Sequence, residues 1–250
     1  MNFNDPVRDN LTAEELEETR MILRAGWMSD LINAKVDVAL FDPELIRVVP
    51  NVIPGWLCSF IVSECDKKAD FGNGVEAFSY RGRNCWTEEN ILLDRIVPDF
   101  MPAIDQYMAD LCKSQSHQDG FIYSWSVTHL KRYVYGSLKA LHADASEIDG
   151  SFSERDKMIL NGEKDGALNS ITMKSGIISM NDGYQGGELY FPAGDLAVKV
   201  PAGSAVLFPP SNIYSHGVLP VTDGQRYTLP FFLPPDSLRK MNDYLIGLLT

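Results

Sequence analysis

The sequence of 250 residues lacks long hydrophobic runs. No stretch approaches the roughly 18 consecutive apolar residues that would indicate a membrane-spanning helix. The acidic stretch 1–18 also lacks the apolar centre of a secretory signal peptide. From these absences we expect a cytoplasmic protein with no membrane partner.

Cysteine is scarce, and none of the four cysteines lies in a CxxC pair. The sequence therefore gives no indication of a cysteine-rich metal site or a dithiol redox motif. Free cysteine is commonly buried, and disulfides are rare in the cytosol. We expect reduced, buried thiols. Cys58 and Cys65 are spaced to share the core face of one helix, and the others are Cys85 and Cys112.

Basic residues are outnumbered, with 22 Lys and Arg against 34 Asp and Glu, a net charge of -12 and a pI near 4.7. Binding to duplex nucleic acid needs a basic surface, so this balance argues against a nucleic-acid partner. The hydrophobic content of 45% is enough for one sizeable core.

Helical patterns dominate the amino-terminal half. Residues 11–33 read as a helix with Thr12 as N-cap and Glu15 completing a capping box. No heptad pattern persists for three repeats, so we favour packing of this helix on the core, in a monomer or a homodimer.

Three further elements follow before the sequence changes character. Residues 45–50 resemble a short strand, and 54–71 form an amphipathic pattern that begins near a proline. Residues 89–115 predict a second long helix, interrupted by Pro98 and Pro102.

From about residue 121 the sequence consists of short β-branched and aromatic runs separated by glycine, proline and aspartate. This pattern predicts a sandwich, jelly roll or small barrel. Residues 198–208 read as a hairpin, and 236–249 as a closing helix. The predicted strands lie within 121–136, 175–181, 187–191, 196–200, 204–210 and 226–233.

One polar, glycine-containing stretch, 145–170, interrupts the predicted strands. A loop of this length in a compact β domain is usually functional or disordered. We interpret it as a mobile lid, with a passive surface insertion as the alternative.

The strongest chemical pattern is His142-Ala143-Asp144 followed far downstream by His216. Side chains alternate along a strand, so the first histidine and the aspartate point the same way. Two imidazoles and one carboxylate are the protein ligands of non-haem Fe(II) oxygenase sites. His117, in a polar loop, and His129, which we expect to pack within a strand, are interpreted as unrelated.

Arg226 follows the last candidate ligand after a turn at 222–224. A hairpin there would bring Arg226 back towards the metal, with Thr228 on the same face. The planar guanidinium binds carboxylates through two parallel hydrogen bonds, so the pair could hold the far carboxylate of a 2-oxo acid.

The carboxy-terminal half resembles the 2-oxoglutarate/Fe(II)-dependent dioxygenases and, within them, the prolyl 4-hydroxylase-like group. The resemblance covers roughly 45–235 and includes HLKRYVYGSLKALHAD, SGIISMNDGYQGGELYFP, VKVPAGSAVLFPPS and SHGVLPVTDGQRYTLPFFL. It implies an α+β, mainly β fold: a double-stranded β-helix (jelly-roll) core near 121–235, flanked by N-terminal helices and a C-terminal helix. It also implies a helical extension at 1–44 and an oxygenase domain at 45–250.

The same resemblance assigns roles to individual residues. His142, Asp144 and His216 would bind Fe(II), while Arg226, Thr228 and Tyr133 would bind 2-oxoglutarate. Gly186 and Gly187 match the family turn that leads into a core strand.

The chain departs from the family on the substrate side. Lys139 replaces a tyrosine and Phe232 replaces a tryptophan of the collagen-type prolyl hydroxylases, which commonly also carry lysine at the position of Arg226. The remaining candidate substrate contacts are Trp86 and Arg83, with Tyr80 and Arg81 beside them.

The implied activity consumes 2-oxoglutarate and O2, releases succinate and CO2, and uses ascorbate as reductant. The favoured substrate is a prolyl or other amino-acid residue of a peptide or protein. The alternatives are a hydroxylase of a free amino acid or small metabolite, and a non-catalytic β-helix binding module. Nucleic-acid demethylation is disfavoured, because Phe232 stands where that branch typically carries a second arginine.

Overall fold

Two antiparallel sheets with helices on their outer sides make up the fold. The computed structural model describes residues 11–67, 76–80, 83–119, 123–125, 129–144 and 174–233, with the backbone alone for 76–80 and 83–86. The helices are α1 (Ala13–Asn33), α2 (Gly55–Lys67), α3 (Leu93–Ile96) and α4 (Met101–Asp119). The strands are β1 (Arg47–Val49), β2 (Glu76–Tyr80), β3 (Arg83–Trp86), β4 (Glu89–Leu92), β5 (His129–Tyr133), β6 (Lys139–His142), β7 (Lys174–Ser179), β8 (Gln185–Gly186), β9 (Leu189–Phe191), β10 (Leu196–Val198), β11 (Ala205–Phe208), β12 (His216–Val218), β13 (Val221–Asp223) and β14 (Arg226–Leu233).

The larger sheet has the strand order β1-β11-β7-β14-β5-β4, and the smaller one has the order β10-β9-β12-β6. Two-stranded pairs, β13-β8 and β2-β3, complete the described strands. None of the described helices is both long and apolar enough to cross a membrane.

The two sheets face each other across one of the apolar clusters. Tyr133 and Phe208 of the larger sheet pack with Phe191 and Val218 of the smaller sheet. Helices α2 and α4 cover the other face of the larger sheet, where buried side chains such as Ile61 join the main core. The layers therefore run helices, larger sheet, smaller sheet.

Helix α1 covers the outer side of the smaller sheet, as the expected packing on the core requires. Thr12 and Glu15 form the predicted capping box, with reciprocal hydrogen bonds of 3.2 and 2.8 Å. Trp27 and Leu23 are buried in a cluster with Tyr190 of β9. The helix is thus fixed to the sheet that carries β12.

The prediction of one long helix over 89–115 is wrong at its start. Glu89–Leu92 is the strand β4, which pairs with β5 at the edge of the larger sheet. The short apolar run fits a helix or a strand equally well, and strand pairing decides between them. Pro98 begins a separate 3-10 turn, and α4 continues to Asp119, so His117 lies in a helix and not in a loop.

The predicted hairpin over 198–208 is also wrong. Strand β10 pairs with β9, whereas β11 pairs with β1 and β7, so the intervening turn passes from one sheet to the other. Gly203, with φ of 80°, donates to the Ser179 carbonyl and accepts from the Ile53 amide. The local sequence predicts the turn, but it does not indicate which strands β10 and β11 pair with.

Cys58, Cys65 and Cys112 are reduced and buried, as expected, and the first two share α2. The side chain of Cys85 lies outside the described residues, as do the predicted lid at 145–170 and the predicted helix at 236–249.

Candidate functional site

His142, Asp144 and His216 come together between two neighbouring strands. His142 ends β6 and His216 begins β12, and the two residues are paired directly across the antiparallel ladder. The Nε2 atoms of His142 and His216 lie 3.5 and 3.9 Å from Oδ1 of Asp144. One potential ligand atom from each residue lies within 4.8 Å of the others, a spacing that one metal ion can bridge.

Both imidazole rings are oriented by backbone carbonyls. Nδ1 of His142 lies 2.9 Å from the Ala140 carbonyl oxygen, and Nδ1 of His216 lies 3.1 Å from that of Tyr214. A carbonyl can only accept, so each bond requires a proton on Nδ1 and leaves the Nε2 lone pair available to a metal. Sequence reasoning missed these partners, because backbone acceptors leave no residue pattern.

Asp144 is ionised despite its burial. The residue is 8% exposed. Burial by itself raises the pKa of its carboxyl group, but His216 and His142 together hold the pKa well below its usual range. The site therefore offers one carboxylate and two imidazole nitrogens, the set that suits a divalent transition metal with open positions.

Arg226 is a buried cation with unused donors. It is 4% exposed, and its Nε and Nη1 atoms have no hydrogen-bond partner among the described residues. Its Cζ lies over the ring of Tyr133, 4.8 Å from the centroid. Buried donors without a partner are costly, so this arrangement fits a bound anion that accepts from the guanidinium.

The strand pairing that positions Arg226 differs from the predicted hairpin. Strand β13 pairs with β8, and β14 pairs with β5 and β7, so the turn at 222–224 does not close a hairpin between β13 and β14. Arg226 instead pairs with Tyr133 of the neighbouring strand β5 in the larger sheet. A Cβ on Gly187, which has φ of 65°, would lie 3.1 Å from the Arg226 Cδ, so this glycine leaves room for the arginine chain.

An open cavity of about 420 Å³ is lined by the three metal candidates, whereas Arg226 lines a separate and much smaller one. Tyr133 and Thr228 line the larger cavity, and Tyr133 is only 3% exposed, a burial that raises the pKa of its phenol above the ordinary value. Lys139 and Phe232 also line it, whereas the side chains of Arg83 and Trp86 lie outside the described residues.

Other cavity residues were not identified from the sequence. Lys131 and Asn90 line the wall, and His129, expected to be packed, is exposed and lines it as well. Glu88, 5% exposed, contacts Lys131 and Lys139 behind that wall. Nothing in the TEEN segment distinguishes Glu88 from an ordinary surface acid.

Part of the chain is similar to a known hydroxylase. No family model matches the chain. A PKHD-type hydroxylase of Parvibaculum lavamentivorans is 36% identical over 99 residues, which are 39% of this chain and 36% of that protein. The match thus spans about a third of the relative's length.

Solved structures extend the comparison. The non-haem alpha ketoglutarate dependent epimerase SnoN from nogalamycin biosynthesis matches with a TM-score of 0.50 and 13% identity, over 76% of this chain and 78% of SnoN, which shows a shared fold. A prolyl-4-hydroxylase of Pseudomonas putida matches with a TM-score of 0.47 and 19% identity, over 85% of this chain and 98% of that one. The predicted resemblance to the 2-oxoglutarate/Fe(II)-dependent dioxygenases is confirmed. The observed mixture of helices and antiparallel sheets is consistent with that superfamily.

Proposed function

We propose that the protein is an Fe(II)- and 2-oxoglutarate-dependent dioxygenase that hydroxylates an unactivated C–H of a prolyl or other amino-acid residue in a peptide or protein. The observation that carries the proposal is the His142, Asp144 and His216 cluster in one cavity with Tyr133, whose ring lies under a buried arginine with two unused nitrogens. We further propose that the two sheets form a double-stranded β-helix within an oxygenase domain at 45–250, preceded by the extension at 1–44.

The metal and its cosubstrate would supply the oxidation, with release of succinate and CO2 and with ascorbate as reductant. His142 and His216 would bind the metal through Nε2, each ring fixed by its Nδ1 bond to a backbone carbonyl. Asp144 would add a carboxylate on the same side. Such a three-residue set would leave the metal accessible to the cosubstrate.

Arg226 would bind the distal carboxylate of 2-oxoglutarate, with Thr228 and Tyr133 beside it. The Tyr133 ring supports one side of the guanidinium, so the charged group is held in place before the cosubstrate arrives. A positioned donor spends less conformational entropy on binding. The cavity of about 420 Å³ then leaves room for a side chain of the substrate next to the metal ligands.

The substrate assignment is tested by turnover with Pro-containing peptides compared with free proline, measured as hydroxylated product per succinate formed. We expect peptides to be hydroxylated with coupled succinate release. Activity on the free amino acid alone would reject a peptide substrate and favour a small-molecule hydroxylase.

A further inference from the structure

The wall of the cavity next to the metal candidates is positively charged. Lys131 of β5 and Lys139 of β6 both line it. Among the described residues that line it, Asp144 is the one carboxylate, and the metal would use that group. A second, cationic region of the cavity therefore lies beside the proposed reaction centre.

Glu88 holds the two lysines at one place. Its Oε1 lies 2.9 Å from the Nζ of Lys131 and 3.2 Å from that of Lys139. Burial raises the pKa of the Glu88 carboxyl group, but the two lysines lower it by a larger amount. The pKa is therefore below its usual value. The lysine side chains keep 21% and 23% of their surface exposed, so they stay accessible from the cavity while the carboxylate lies behind them.

This cluster consists of other cations than the arginine that would bind 2-oxoglutarate, and both border Tyr133. Lys131 is opposite Thr228 in the ladder, two residues along β5 from Tyr133. Residues two apart on a strand lie about 6.5 Å from each other on the same face. Lys139 is three residues before His142 and pairs with Val218 of β12. Because Arg226 would take the distal carboxylate of 2-oxoglutarate, a second anion held by these lysines would belong to the substrate.

We propose that Lys131 and Lys139, positioned by Glu88, form a carboxylate-binding subsite for the substrate. This inference rests on the proposed function and narrows it: the residue to be hydroxylated carries, or adjoins, a carboxylate. An ammonium group has three donors, so the bond from Lys131 to Glu88 leaves that lysine able to donate to a bound anion. The carboxylate belongs either to a chain end or to an acidic side chain next to the reacting residue.

The test is calorimetric titration of the protein loaded with Fe(II) and 2-oxoglutarate without oxygen. One probe pair is N-acetyl-L-proline against N-acetyl-L-prolinamide, which reports on a terminal carboxylate. The other is acetyl-Gly-Pro-Asp-NH2 against acetyl-Gly-Pro-Asn-NH2, which reports on a side-chain carboxylate. We expect the acid to bind about fivefold to thirtyfold more tightly than its amide in at least one pair, between the values for exposed and buried ion pairs.

Variants separate recognition from structural support. Lys131→Met and Lys139→Met should each reduce the preference for the acid, while the affinity for 2-oxoglutarate stays unchanged. Glu88→Gln should keep or increase the preference, since it removes a negative charge that competes with the ligand. Lys113→Met, at an exposed lysine of α4, is the matched control and should change nothing.

Equal binding of acids and amides, or binding of neither, would overturn the subsite, as would a preference that survives both lysine variants. Weaker 2-oxoglutarate binding in the lysine variants would reassign the lysines to the cosubstrate and also overturn it. The proposed function fails separately, if the wild-type protein does not bind 2-oxoglutarate in the step before the probes are added.

Discussion

The guanidinium of Arg226 is buried over the ring of Tyr133, with its Cζ 4.8 Å from the ring centre. The two residues are partners in the ladder between β14 and β5. A cation over an aromatic face gains about 0.5–2 kcal/mol. That gain is smaller than the cost of leaving a buried charge without a counterion. We therefore propose that a bound anion completes the site that these two residues form.

Replacing Arg226 by alanine should weaken 2-oxoglutarate binding. Losing one member of a buried charged pair costs about 2–5 kcal/mol, which corresponds to about 30-fold to several-thousand-fold in affinity. The measurement is the dissociation constant of 2-oxoglutarate with Fe(II) in the absence of oxygen. Arg95→Ala, at an exposed arginine of α3, is the control and should bind as the wild type does. Unchanged affinity in Arg226→Ala would remove Arg226 from the cosubstrate site.

Gly217 follows His216 in β12 and touches helix α1. A Cβ at this position would lie 2.5 Å from Trp27 Cη2 and 2.8 Å from the Lys139 backbone oxygen. Gly217→Ala should therefore destabilise the fold by about 1–3 kcal/mol, as other overpacking substitutions do. It should also lower Fe(II) affinity, because β12 and β6 carry the two histidines.

Thermal unfolding and Fe(II) titration measure the two effects of Gly217→Ala. Gly26→Ala is the matched control, since a Cβ on that α1 residue meets nothing within 4 Å. That control should stabilise the helix by about 0.5–1 kcal/mol. If Gly217→Ala instead keeps wild-type stability and Fe(II) affinity, α1 does not constrain the strand that carries His216.

The buried thiols of Cys58 and Cys112 should resist ionisation. Burial raises the pKa of each thiol from 9.0 to about 11. In the unfolded chain the same thiols lose their protons near their ordinary pKa, so their contribution to stability declines as pH rises from 9.0 towards about 11.

Thiol-modifying reagents report this difference, because the thiolate is the reactive species. At pH 8 both cysteines should be modified slowly in the folded protein and rapidly in denaturant, with peptide mapping to separate them from the other cysteines. Rapid modification of Cys58 in the folded protein would contradict its buried environment.

The metal candidates could be predicted because their residue types and the two-residue spacing of His142 and Asp144 on a strand are typical of metal ligands. The capping box of α1 was equally local, since Thr12 and Glu15 bond to each other. Strand partners were not predictable from local sequence. The segment 89–92, predicted as helix, is an edge strand, and 198–208, predicted as a hairpin, connects two sheets. Strand pairing depends on residues far along the chain.

The surroundings of the site were also beyond sequence reasoning. The carbonyls of Ala140 and Tyr214 that fix the histidine rings carry no residue identity. Glu88 looks like a surface acid in the sequence, yet it is buried between two lysines. Its role depends on β4 lying beside β5, a pairing that replaced the predicted helix.

Succinate formation from 2-oxoglutarate, with Fe(II) and ascorbate, tests the central claim most directly when wild-type protein is compared with His142→Ala and Asp144→Ala. The account predicts turnover in the wild type, stimulated by a suitable peptide, and none in either variant with the fold intact by circular dichroism. Absence of Fe(II) binding and turnover in the wild type, or turnover near the wild-type rate in the variants, would contradict it.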